Sequence, residues 1–170
     1  MAFTISSQEQ DLQGNKLPKL FSPRSLAFLG PQERSTSYDD ELCYYGLGLA
    51  IDCCEEDHVI QGFQLIFSDP DEQLYQPFTG NVLFHGQPLD LSGLTTNSAG
   101  KQCGQWYWLD RDEDETIIFY ETPGREWQIE FDPSLKIKRF ITTTLSLMAS
   151  QQQRAGYSVS KPWPPDGDKP

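Results

Sequence analysis

The chain has 170 residues, with 25 Asp and Glu against 13 Lys and Arg and a formal charge of −12. That length suits one domain with a real core, and 37% hydrophobic with 12% aromatic residues excludes wholesale disorder. The negative charge argues against a nucleic-acid binder, whose footprint is a basic patch, and against an anionic membrane surface.

The opening residues, MAFTISSQEQDLQGNKLP, lack the positive start and apolar run of a signal peptide, so the expected compartment is cytoplasmic. No stretch approaches 18 apolar residues, and no membrane span is expected. "FTI" alternates in the manner of a strand, and Gly14-Asn15 supplies hairpin-turn chemistry. In "SPRSLAFLGP", Ser22 is a good N-cap, Pro23 suits the first helical position and Gly30-Pro31 makes a stop. A short helix is predicted over about 23–29, with Leu26, Phe28 and Leu29 partly buried.

Downstream the period changes from helical to alternating. Residues 41–54 predict two strands around Gly46 and Gly48, 59–67 another, and 78–91 a further strand and turn. Four more are expected at 104–110, 116–121, 126–132 and 136–145, separated by acidic, Pro-Gly and Asp-Pro-Ser turns. The spacing describes an antiparallel meander, hence a β-rich α+β fold with one or a few short helices. "LQGNKLPKL" (12–20) and "LFHGQPLDL" (83–91) echo each other, which two similar β-turns explain. Residues 1–149 are expected to form the single globular domain. Residues 150–170 lose periodicity and gain Pro, Gly and Gln, and are expected to form a flexible tail.

The stretch "DRDEDETIIFYE" (110–121) places acids where a calcium loop has them, but its sixth position is Glu115 rather than Gly. No flanking helices accompany it, and "TIIFYE" has strand propensity, so a β-hairpin with an exposed acidic tip is the better reading. Cys43, Cys53, Cys54 and Cys103 form no CxxC pair and His58 and His85 no HxxxH pair, so no zinc is expected. The cysteines are read as reduced thiols, at least two of them buried. His58 and His85 are the full supply of histidine bases, and no GxSxG, Walker loop or GxGxxG accompanies them. No catalytic residue, cofactor or metal is therefore assigned. Trp106, Tyr107 and Trp108 on one strand would set the two tryptophans on one face, with Trp127, Phe131 and Phe119 completing a largely core aromatic layer.

From Tyr38 to Glu121, seventeen acids face only Lys101 and Arg111, a local net of −15. Such a field suits a basic protein partner, whose approach it would steer, or plain solubility, which is the default reading. The candidate partner-binding residues are Glu55, Glu56 and Asp57, then Asp69, Asp71 and Glu72, then Asp110, Asp112, Glu113, Asp114 and Glu115.

The segments "QGNKLP" (13–18), "FLGPQER" (28–34), "YYGLGLAI" (44–51), "IQGFQLIF" (60–67) and "FTGNVLFHGQPL" (78–89) follow one another in an order that resembles a family of small uncharacterised bacterial proteins. The likeness covers roughly residues 12–91; Tyr45-Gly46 stands where that family carries a pair of acids. In type, being small, acidic and catalytically empty, the chain also resembles the immunity proteins of bacterial toxin systems. That resemblance implies an antidote that binds a cognate toxin or other basic protein and occludes it. The alternatives are an accessory protein with a constitutive protein partner, or a small hydrolase using His58 or His85.

Overall fold

The computed structural model describes residues 4–6, 11–12, 15–16, 22, 26–33, 41–54, 56–68, 74–84, 87–91, 93–122, 125–144 and 146–159. Among these residues the chain forms β1 (Thr4–Ser6), β2 (Asp11–Leu12), β3 (Asn15–Lys16), β4 (Glu41–Tyr44), β5 (Leu49–Cys53), β6 (Ile60–Ile66), β7 (Asn81–Phe84) and β8 (Gln87–Leu89). Helix α1 (Thr96–Gln102), then β9 (Trp108–Arg111), β10 (Thr116–Thr122), β11 (Arg125–Phe131), β12 (Ile137–Thr143) and helix α2 (Gln151–Gly156) complete it. The fold is a β-rich α+β one. A seven-stranded antiparallel sheet runs β4-β5-β6-β12-β11-β10-β9, and a smaller sheet runs β3-β2-β1-β7-β8 with β1 and β7 parallel.

Alternation along the strands decides the layers. On β11, Trp127, Ile129 and Phe131 enter the main core, while Glu126, Gln128 and Glu130 share the opposite face. Phe84 of β7 meets the large sheet edge-on at Tyr120, Trp127 and Phe140, with ring centroids 5.6–6.3 Å apart. These contacts clamp the small sheet onto the front of the large one. Leu94, Ala99 and Cys103 of the α1 region close the same core, and burial pushes the Cys103 thiol up to about 12, which makes it unreactive.

The back face has its own cluster of Tyr107, Phe119 and Met148, against which Trp108 and Val159 pack. Trp106 instead packs on the front cluster, so Trp106 and Trp108 do not share a face. The strand begins only at Trp108, and strand alternation does not govern the residues before it. The short helix expected over 23–29 is a 3-10 turn at Ala27–Leu29, with Leu26 and Leu29 buried; residues 23–25 lie outside the described residues. Residues 150–159, expected as the start of a mobile tail, carry α2 with Arg154 buried; residues 160–170 lie outside the described residues. No helix among the described residues is long and apolar enough to cross a membrane.

Glu130 is buried on the back face, 3.9 Å from Arg139 Nε. Burial raises its carboxyl above the usual range despite Arg139, and Glu115 adds to the rise. A carboxyl raised by folding contributes stability below its unfolded value that is lost as pH climbs through the folded one. Glu130→Gln is therefore expected to raise the thermal midpoint at neutral pH and to have no effect in acid below the carboxylate range. Thermal melts at both pH values check this.

Candidate functional site

Connections along an antiparallel meander alternate between its two ends. The registers gather the β4–β5 connection, the C-terminal end of β6, the β9–β10 tip and the β11–β12 turn at one end. The β5–β6 turn falls at the other. The predicted acidic clusters are thus split. Glu56 and Asp57 are exposed at the far end, where Asp57 Oδ1 accepts from Val59 N at 3.0 Å and His58 sits at φ +57°. Glu55, Asp69, Asp71, Glu72 and His85 lie outside the described residues.

The 110–115 stretch is a hairpin tip, as its composition predicts, with Thr116 opposite Arg111. Asp112 Oδ1 accepts from Asp114 N at 2.9 Å and Glu115 N at 2.8 Å, so this carboxylate builds the turn. Asp110, Glu113 and Asp114 are exposed, and half-buried Glu115 pairs with Lys138 Nζ at 3.2 Å. The Lys138 carbonyl in turn accepts from Phe67 N at 2.9 Å, which ties the tip to a groove beside it.

That groove, about 880 Å³, opens between the end of β6, the 78–81, 89–91 and 93–95 segments and the β11–β12 turn. Phe67 and Phe78 meet edge-on at 5.8 Å in its wall, with Leu94, Ile137 and Leu135 alongside and Asp90 and Lys136 among the polar lining. Leu135 is 41% exposed and held at φ +62°, a conformation that L side chains other than Asn and Asp seldom adopt.

The turn that holds Leu135 is organised by Asp132. Its carbonyl accepts from Leu135 N at 2.8 Å, and its Oδ1 accepts from Lys136 N at 3.0 Å and Ser134 Oγ at 2.7 Å. Slight burial would raise this carboxyl, but those donors reverse the effect and hold it below its ordinary value. Sequence reasoning passed over Leu135. The available signal was a large apolar residue inside an Asp-Pro-Ser turn, where side chains are ordinarily polar or glycine.

A second polar constellation lies sealed on the back face. Glu126 Oε2 accepts from the Tyr107 hydroxyl, from Ser146 Oγ at 3.1 Å and from Leu147 N at 3.1 Å, while Oε1 accepts from Gln128 Nε2 at 2.7 Å. Arg154 pairs with Glu121, and its guanidinium lies 4.6 Å above the Tyr107 ring. Burial, with the Glu126 hydrogen bond second, drives the Tyr107 hydroxyl well above its ordinary value. Nothing in the sequence marked Glu126 or Arg154, because an acid on a strand or an Arg in a polar tail reads as solvated surface. Among the described residues, no three His, Cys, Asp or Glu side chains converge to hold a metal ion.

No family model matches the chain, and no curated protein matches it. Among solved structures it is similar to a DUF4309 family protein, YjgB, from Bacillus subtilis subsp. subtilis str. 168. The TM-score is 0.54 at 17% identity, over 79% of this chain and 86% of that one. Identity that low shows a shared fold and nothing of function.

Proposed function

We propose that this chain is a non-catalytic binding protein of the immunity type, which captures a basic protein toxin and occludes it. Its binding surface is the end of the large sheet that carries the groove and the acidic tip. The observation that supports this most is Leu135. An exposed apolar side chain in a left-handed conformation costs about 1–2 kcal/mol, and such strain collects where a surface is used. Beside it, Asp110, Glu113 and Asp114 supply long-range attraction, and the groove supplies apolar area for lasting contact.

The test is affinity purification with the tagged full-length chain, followed by expression of each retained partner alone and together with it. A single stoichiometric basic partner, toxic alone and harmless when co-expressed, is the expected result. A constitutive partner whose function suffers without this chain in the absence of any toxin overturns the reading.

Two substitutions then locate the surface. Leu135→Gly is expected to stabilise the free protein by roughly 0.5–1 kcal/mol, the relieved strain less the extra freedom of an unfolded glycine. The same change should weaken the partner complex, giving opposite signs in urea unfolding and in calorimetric titration. Neutralising Asp110, Glu113 and Asp114 together, with the turn-forming Asp112 left in place, is expected to slow association and flatten its salt dependence. Stopped-flow mixing at two ionic strengths reads that out.

A further inference from the structure

The attachment of α2 to the sheet is chemically unusual. A helix of six residues has no stability of its own, and such elements are ordinarily held down by an apolar stripe. In Gln151–Gly156 the buried side chain is instead Arg154, 3% exposed. Its guanidinium covers the Tyr107 ring, pairs with Glu121, and donates from Nε to the Met148 carbonyl at 3.2 Å. Met148 and Val159 flank this anchor and pack on the back-face cluster.

The parts of this anchor have different origins. The ring and the carboxylate belong to the sheet: Tyr107 precedes β9 and Glu121 lies on β10. The Tyr107 hydroxyl is fixed by its bond to Glu126 on β11, so the ring is oriented independently of Arg154. Glu121 Oε2 is buried with no hydrogen-bond partner among the described residues, so the carboxylate has acceptor capacity to spare. A ring face beside a carboxylate is the arrangement that recognises a planar guanidinium in preference to an ammonium. The cation itself arrives on a strap whose six-residue helix has no apolar stripe of its own, an element that opens at low cost.

We propose that the Tyr107–Glu121 cleft is a guanidinium receptor closed in cis by Arg154, and that an arginine of a protein partner enters it as the 146–159 strap leaves. The second half rests on the basic-partner reading above; the receptor itself does not. Like-for-like exchange keeps the buried carboxylate compensated throughout, which removes the main cost of opening. Departure of the strap also uncovers Trp108 and Phe119, stacked at 4.6 Å, aromatics of the kind that anchor interfaces.

The experiment uses full-length Arg154→Ala with methylguanidinium as probe, at concentrations too low to denature the wild type, and methylammonium at equal ionic strength as control. Methylguanidinium is expected to raise the thermal midpoint of the variant and slow hydrogen exchange across 146–159, with no rise for wild type and none from methylammonium. Equal responses of variant and wild type, or of the two cations, overturn the receptor. Should the alanine variant fail to fold, Arg154→Lys, which keeps the charge and loses the planar fork, takes its place under the same criteria.

A second arm adds N-acetyl-arginine methylamide to wild type. Faster exchange at 150–159 with β10 and β11 unchanged supports displacement of the strap. Unchanged exchange there overturns displacement, whatever the first arm gives. Neither arm uses a partner protein, so failure here is distinct from failure of the proposed function.

Discussion

Glu126→Ala is expected to destabilise the protein by about 1–3 kcal/mol, the scale for leaving a buried donor without its acceptor. The residue is fully buried and its carboxylate accepts four hydrogen bonds. Alanine would leave the Tyr107 hydroxyl buried without its acceptor and would release the partly buried Ser146 hydroxyl, Leu147 N–H and Gln128 amide. Two of those donors, Ser146 and Leu147, begin the C-terminal strap, so the loss should appear there first. Urea unfolding measures the total, and hydrogen exchange across 146–159 shows where the structure opens. Glu126→Gln should lie between the two, because hydroxyls can turn to meet an amide but the Leu147 N–H cannot. A cost for alanine below about 1 kcal/mol, the worth of a single ordinary hydrogen bond, would show that the network contributes little.

Gly62→Ala is the other large effect. A Cβ at this position would lie 1.9 Å from the Thr142 carbonyl oxygen and 3.1 Å from Thr143 Cα, both of them backbone atoms. Gly62 pairs with Thr143 on β12 and with Asp52 on β5, so it sits inside the sheet and no flexible side chain can move aside. The β6–β12 pairing is also the seam between β4–β6 and β9–β12, and parting it divides the sheet in two. The expected loss is more than about 4 kcal/mol, among the largest for one methyl group, seen as failure to fold or a collapsed thermal midpoint. Gly46→Ala is the control. Nothing lies within 4 Å of a Cβ there, and the same assay should show little change.

The strand positions were legible because their cause is local. β5, β6, β10, β11 and β12 announce themselves by alternation or apolar runs bounded by turn residues, and the structure places them within a few residues of expectation. The helices were not legible. "TNSAGKQ" is small and polar, and its start is marked only by the reciprocal Thr95–Ser98 cap, a weaker signal than an apolar face. α2 shows no apolar periodicity because the side chain it buries is an arginine.

The acidic tip was read correctly as a turn from Glu115 and the strand propensity after it, since both are facts of one short segment. That the tip stands beside a groove, and that Glu56 and Asp57 lie at the opposite end, depends on strand order. Strand order is set by pairings such as Arg139 with Ile66, across a separation for which the sequence carries no local mark. Those pairings become favourable only when Trp127, Phe140 and Phe84 meet between the sheets. The sequence by itself thus determined the element types, the acidic charge and the exposed hairpin. Tertiary structure alone decided which loops share an end, which acids are buried, and that Arg154 pins its strap to the sheet, because burial and long-range pairing belong to the assembled layers and not to any one segment.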